Sequence, residues 1–136
     1  MNKKKKGDKA EREVYKIFES WDYIINPAPR TMRRIYVKNK PIYVSQRNDH
    51  WGLFDGEARN ATHNILFQVK SNVSDVYSCK YAIEDFSKEY MKSFEIPQIW
   101  LRVPRKGWVV WEYDDVRWTL YYYNLKGDEV EKFKYS

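Results

Sequence analysis

The sequence predicts a single α/β or α+β domain built on one central mixed β-sheet flanked by helices. Val14, Ile17, Phe18 and Trp21 recur at the i, i+3, i+4, i+7 spacing of one helical face, and Tyr81, Ala82, Phe86 and Tyr90 repeat a helical spacing later. Between and after these segments lie short runs rich in Ile, Val, Tyr and Trp, separated by turn residues. A chain of 136 residues has room for one such core and little more. Helix, strands, helix, strands, with no internal repeat and no Pro/Ser-rich linker, is the order of a layered domain around a single sheet.

The elements follow in order. Lys3, Lys4, Lys5 and Lys6 precede Gly7 and read as a flexible basic tail over residues 1–7. A helix is predicted from 8 to 21, with Asp8 as N-cap and Glu11 three residues on in a capping-box arrangement. Tyr23, Ile24 and Ile25 begin a strand that Pro27 and Pro29 end, and the PRTMRR stretch is expected to be a basic loop. IYVK at 35–38 and IYVS at 42–45 predict a hairpin about Asn39-Lys40-Pro41, inserted over residues 33–48. LFDGEARN (53–60) and ILFQVKS (65–71) form a second hairpin across a polar turn. A helix over 78–92 comes next. The runs QIWLRVP, WVVWEY, VRWTLYYYNL and EVEKFKY are then strands separated by turns.

Composition narrows the partner. Twenty-five Lys and Arg against nineteen Asp and Glu leave a net charge of +6, which favours a polyanion, nucleic acid first. No apolar stretch approaches the roughly 20 residues of a membrane span, and the charged start lacks a secretory apolar region, so an intracellular, membrane-free protein is expected. The lone Cys79 forms no internal disulfide and suits a reducing compartment. His50 and His63 alone make a poor zinc site. Asn60-Ala61-Thr62 matches a glycosylation sequon that has no use without export.

The chemistry concentrates on two strands. Alternation places Asp55, Glu57 and Arg59 on one face of the first, away from Phe54, Gly56 and Ala58. On the second, Gln68 and Lys70 oppose Ile65, Phe67, Val69 and Ser71. Paired with apolar faces aligned, the strands project Asp55, Glu57, Gln68 and Lys70 together, where a carboxylate of the first helix can join them. Oxygen donors gathered this way suit Mg²⁺ or Mn²⁺ and phosphodiester hydrolysis, with a lysine to steer the water or offset transition-state charge. The competing reading is a polar sheet face that simply points at solvent.

Asp55 followed by Gln68-Val69-Lys70 on adjacent strands, after an acidic helix, resembles the PD-(D/E)XK nuclease superfamily, and within it the archaeal-type Holliday junction resolvases. The opening Lys6-Gly7-Asp8-Lys9-Ala10-Glu11-Arg12-Glu13 is similar to the resolvase start, and the Asp55-to-Gln68 spacing also resembles the family's. So does the helix followed by IPQIWLRVPRKGWVVWEY. The likeness covers about residues 5–113. It implies a restriction-endonuclease-like fold and Mg²⁺-dependent endonuclease activity near DNA branch points. It also implies a metal held by Glu11, Asp55, Gln68 and the Val69 carbonyl, with Lys70 acting on the water or transition state. Gln68 stands where resolvases carry glutamate, keeping one ligand oxygen but losing a charge that Glu57 or Asp49 would have to supply. Asp49 is the alternative first acid, and His50 an alternative proton shuttle.

For DNA, the resemblance implies a loop after the first strand with phosphate contacts from Arg30, Arg33 and Arg34 and a helpful hydroxyl from Thr31. Lys3 to Lys6, Ser71 and Lys80 would extend that surface without reading sequence. Alternative substrates are flaps, ends or duplex, and a module with a decayed site that only binds DNA is the non-enzymatic alternative. The family's homodimers imply an interface, for which an aromatic-rich C-terminal sheet is suited. Stacking on unpaired bases is one use of the 6 Trp and 12 Tyr, and filling strand positions is the other. A basic chain this small would serve a cell, a virus or a mobile element equally.

Overall fold

A computed structural model describes residues 3–28, 30–47 and 53–131. Asp49 and His50 lie outside the described residues. The first helix, α1 (Lys3–Ser20), is followed by strands β1 (Ile24–Pro27), β2 (Arg30–Val37), β3 (Lys40–Arg47), β4 (Gly56–Arg59) and β5 (Asn64–Lys70). Helix α2 (Val73–Glu89) then leads to β6 (Glu95–Val103), β7 (Gly107–Tyr113) and β8 (Trp118–Tyr123). The fold is α+β, with two helices and a six-stranded mixed sheet in the order β1-β4-β5-β6-β7-β8. Among the described strands only β5 and β6 run parallel, joined through α2, as a parallel pair requires a long crossover.

The two helices cover opposite faces of the sheet. On α1 the buried positions are Ala10, Val14, Ile17 and Phe18, one stripe at helical spacing, which packs on Ile65, Phe67, Trp100 and Val110. On α2 Val76, Cys79 and Ile83 meet Leu66, Ile99, Leu101 and Val109, the alternate residues of the same strands. Residues 64–68 of β5 are therefore buried on both faces, and each large side chain enclosed there contributes roughly 1.5–3 kcal/mol. Aromatic side chains bind the α1 layer. Phe18 lies 5.1 Å from Phe67 and 5.2 Å from Trp100, and Trp100 stacks on Tyr123 at 5.6 Å and 11°. Trp108 is buried as well, so Trp100, Trp108 and Tyr123 are committed to the core.

Several expectations shift. The helix begins at Lys3, not at Asp8, so residues 3–7 are helix and not a tail; a lysine run is a good helix former, and Asp8 sits inside the helix instead of capping it. Arg30 to Arg34 belong to strand β2, not to a loop. That strand pairs with β3 as a separate two-stranded sheet, turning through Lys38 (φ 51°) and Asn39 (φ 63°), the left-handed pair that a two-residue hairpin favours. The second helix starts at Val73 and ends at Glu89, earlier at both ends than the 78–92 reading. After β8, Glu129 makes one bridge to Tyr123 in place of a full strand, and residues 132–136 lie outside the described residues. No helix among the described residues is long and apolar enough to cross a membrane.

Candidate functional site

The site is set by how β4 meets β5. The Asn60 side-chain oxygen accepts the backbone N–H groups of Thr62 (2.9 Å) and His63 (2.8 Å), closing the turn that pairs Arg59 with Asn64. From there the register runs to Gly56 opposite Phe67. A side chain at 56 would stand 2.9 Å from Phe67 Cζ and 3.1 Å from the Asn26 carbonyl, so glycine lets the Phe67 ring lie across β4.

At Asp55 the alternation breaks. Phe54 packs in the α2 layer while Ala58 packs in the α1 layer, although an unbroken strand would place both on one face. Asp55 is the extra residue. Its N–H donates to the Phe67 carbonyl at 2.9 Å, the residue Gly56 also faces, and its own carbonyl accepts the Ala28 N–H at 2.8 Å. This is a bulge-like doubling of two residues against one. The expected arrangement, with Asp55 beside Glu57 by simple alternation, is corrected accordingly. The Asp55 carboxylate instead accepts the Val69 N–H at 2.6 Å, standing where a backbone carbonyl would continue the ladder.

Gln68 is 6% exposed, so the reading of a solvated polar face does not hold there. A central strand covered on both sides leaves no wet face at 68. Its amide nitrogen donates to the Leu53 carbonyl. A carbonyl can only accept, which fixes the amide nitrogen toward Leu53 and turns the side-chain oxygen away from it. Lys70, at the strand end, is half-buried.

Glu57 shares the Gln68 face, opposite Leu66, and accepts the Asn26 side-chain amide at 3.2 Å. Ser71 follows Lys70 and is half-buried. The Lys80 ammonium lies 5.9 Å from the Tyr77 ring centroid and 5.5 Å from that of Trp118.

Glu11 lies on α1, whose apolar stripe covers the opposite face of the sheet. It stands one helical turn before Tyr15, whose ring meets Phe67 edge-on at 6.0 Å. Glu13, two residues on, pairs with Arg102 near the end of β6 at 2.8 Å. The amino-terminal half of α1 thus sits at the same end of the sheet as Asp55 and Lys70. Among the described residues, no three His, Cys, Asp or Glu side chains gather as metal ligands. Lys3 to Lys6 form the first turn of α1, while Arg30, Thr31, Arg33 and Arg34 lie along β2.

Sequence reasoning missed two contributors. Leu53 enters through its carbonyl, which no side-chain pattern announces. Cys79 of α2 lies where the charges of Lys70 and Asp55 are both felt. Burial pushes its thiol up to about 12, Lys70 pulls it down and Asp55 raises it. The Val76, Cys79, Ile83 spacing would have placed it had the helix start been read at Val73.

The oxygen-bearing groups at this strand end are the Asp55 carboxylate, the Gln68 side-chain amide and the Val69 carbonyl. That chemistry fits a hard ion such as Mg²⁺, which keeps several waters of its own. A cavity of about 730 Å³ opens elsewhere, at the other end of β5 and β6 among Trp21, Tyr23, His63, Glu112, Tyr123 and Glu129. Burial and its carboxylates push the Tyr123 hydroxyl up to about 12. The strand-end constellation and this cavity are separate. No family model, curated protein or solved structure matches the chain.

Proposed function

We propose that this chain is a metal-dependent, structure-selective DNA endonuclease of the Holliday junction resolvase type, cutting phosphodiesters near branch points. One observation carries the reading: the Asp55 carboxylate rests on the Val69 N–H at 2.6 Å, between Gln68 and Lys70 along β5. An acid from one strand and a Gln-x-Lys from its neighbour are thereby brought to one strand end. The order α1, antiparallel β4 and β5, α2, parallel β6 supports a restriction-endonuclease-like domain carrying an inserted β2–β3 hairpin.

Asp55, the Gln68 side-chain oxygen and the Val69 carbonyl would hold Mg²⁺ or Mn²⁺, with Glu11 reaching from the amino-terminal half of α1. When bound, the ion polarises the phosphate and lowers the pKa of an attacking water. Lys70 orients that water or offsets charge on the pentacovalent transition state. The net charge of +6 favours the backbone, with Arg30, Thr31, Arg33, Arg34, Ser71, Lys80 and Lys3 to Lys6 as phosphate contacts. A homodimer would present two such sites to opposed strands.

The neutral Gln68, its amide nitrogen committed to Leu53, favours one rival: a DNA-binding module that does not cut. Incubating the protein with four-way junction, flap and linear duplex in Mg²⁺ separates the readings. Paired symmetric nicks confined to the junction are expected. Preferential cutting of flaps or ends would move the substrate, and binding of every substrate with no cleavage would favour the rival.

A further inference from the structure

Two contacts of opposite sense join β5 to the approach of β4. The Gln68 side chain donates to the Leu53 backbone, and the Val69 backbone donates to the Asp55 side chain at 2.6 Å. Neighbouring residues of β5 thus grip residues two apart on the approach to β4, and the second of these is the bulged Asp55 itself. We propose that Gln68 is a positioning residue: its amide N–H, seated on the Leu53 carbonyl, locks the bulge that holds Asp55, and a carboxylate at 68 weakens the site. The catalytic consequence rests on the nuclease reading, whereas the lock itself does not.

Electrostatics gives the sign. A glutamate has no proton to donate at neutral pH, and it would set an anionic oxygen against the Leu53 carbonyl in a space that leaves Gln68 only 6% exposed. The segment carrying Asp55 would be pushed off β5.

Among the described residues, the titratable groups on this side are Asp55 on the approach to β4, Glu57 on β4, Lys70 on β5 and Cys79 on α2; β6 presents Ile99. Of these, Lys70 is the one able to reward a new carboxylate. The lock predicts that loss of the Leu53 bond outweighs that reward.

The test compares wild type, Gln68→Glu and Gln68→Met. At pH 7.5 both variants should melt lower, Gln68→Glu by roughly 10 °C, and the Val69 amide should exchange at least about tenfold faster in each. If wild type cuts junctions, Gln68→Glu should cut more slowly at neutral pH and need no less Mg²⁺.

Gln68→Glu melting with wild type at pH 7.5, with Val69 exchange unchanged, overturns the lock, as does faster cleavage at lower Mg²⁺. Should wild type cut nothing, the nuclease reading fails alone. Melting and amide exchange still decide the lock.

Discussion

Asp55 does two jobs that substitution can separate. Its carboxylate satisfies the Val69 N–H, and under the proposed nuclease reading its charge would hold the cation. Asp55→Asn keeps an acceptor of the same shape, so stability should fall by only about 1 kcal/mol in urea unfolding. Asp55→Ala strands the Val69 N–H and should cost roughly 1–3 kcal/mol. Both should abolish cleavage.

Cys79 offers a readout independent of catalysis. Its thiol ordinarily titrates near 9.0 and is pushed up to about 12 in the fold, so the unfolded chain loses that proton first. The contribution is intact below about pH 9 and is lost as pH rises toward 12, on the order of a few kcal/mol. Unfolding measured at pH 8, 9, 10 and 11 should show that decline, and Cys79→Ala should flatten part of it. At pH 8 a thiol alkylator should label the native protein far more slowly than the unfolded chain.

The hairpin of β4 and β5 is where local sequence and long-range packing meet. Gly56 admits the Phe67 ring, which the Phe18 ring backs at 5.1 Å. Gly56→Ala should force Phe67 into that contact, costing about 1–3 kcal/mol by denaturant unfolding and lowering activity through the displaced bulge.

This hairpin was legible because Phe67 and Val69 alternate with Gln68 and Lys70, and its polar turn breaks the apolar runs. Legible too was the core of α1, whose apolar stripe keeps the helical period, whereas the stripe expected on the second helix was not: Tyr81 and Tyr90 are exposed, and Val76, Cys79 and Ile83 face the sheet instead. The bulge was not legible, since it depends on which layer Phe54 joins once α2 has packed. The amino terminus of α2 escaped notice because Val73 and Ser74 are weak helix formers that follow Ser71 and Asn72. Buried Gln68 looked like surface because a glutamine in an apolar run carries no sign of what covers it.

At the scale of the molecule, the sheet is clamped between α1 and α2, and the strand-end site lies where both helices have a terminus nearby. The Glu13–Arg102 pair, at 2.8 Å and partly shielded, ties α1 to β6 at that end. A basic chain of net charge +6 should bind duplex DNA through phosphates, its affinity falling with salt by about 0.9 log units per log unit for each phosphate neutralised. A slope near zero would leave the charge without that role.

The most direct measurement is strand-resolved cleavage of a synthetic four-way junction in Mg²⁺ by wild type, Asp55→Asn and Lys70→Ala, with junction binding followed in parallel. Wild type should make paired symmetric nicks. Each variant should lose at least about 100-fold in rate while binding stays within about threefold. Nicking by both variants at the wild-type rate would contradict the assignment of Asp55 and Lys70.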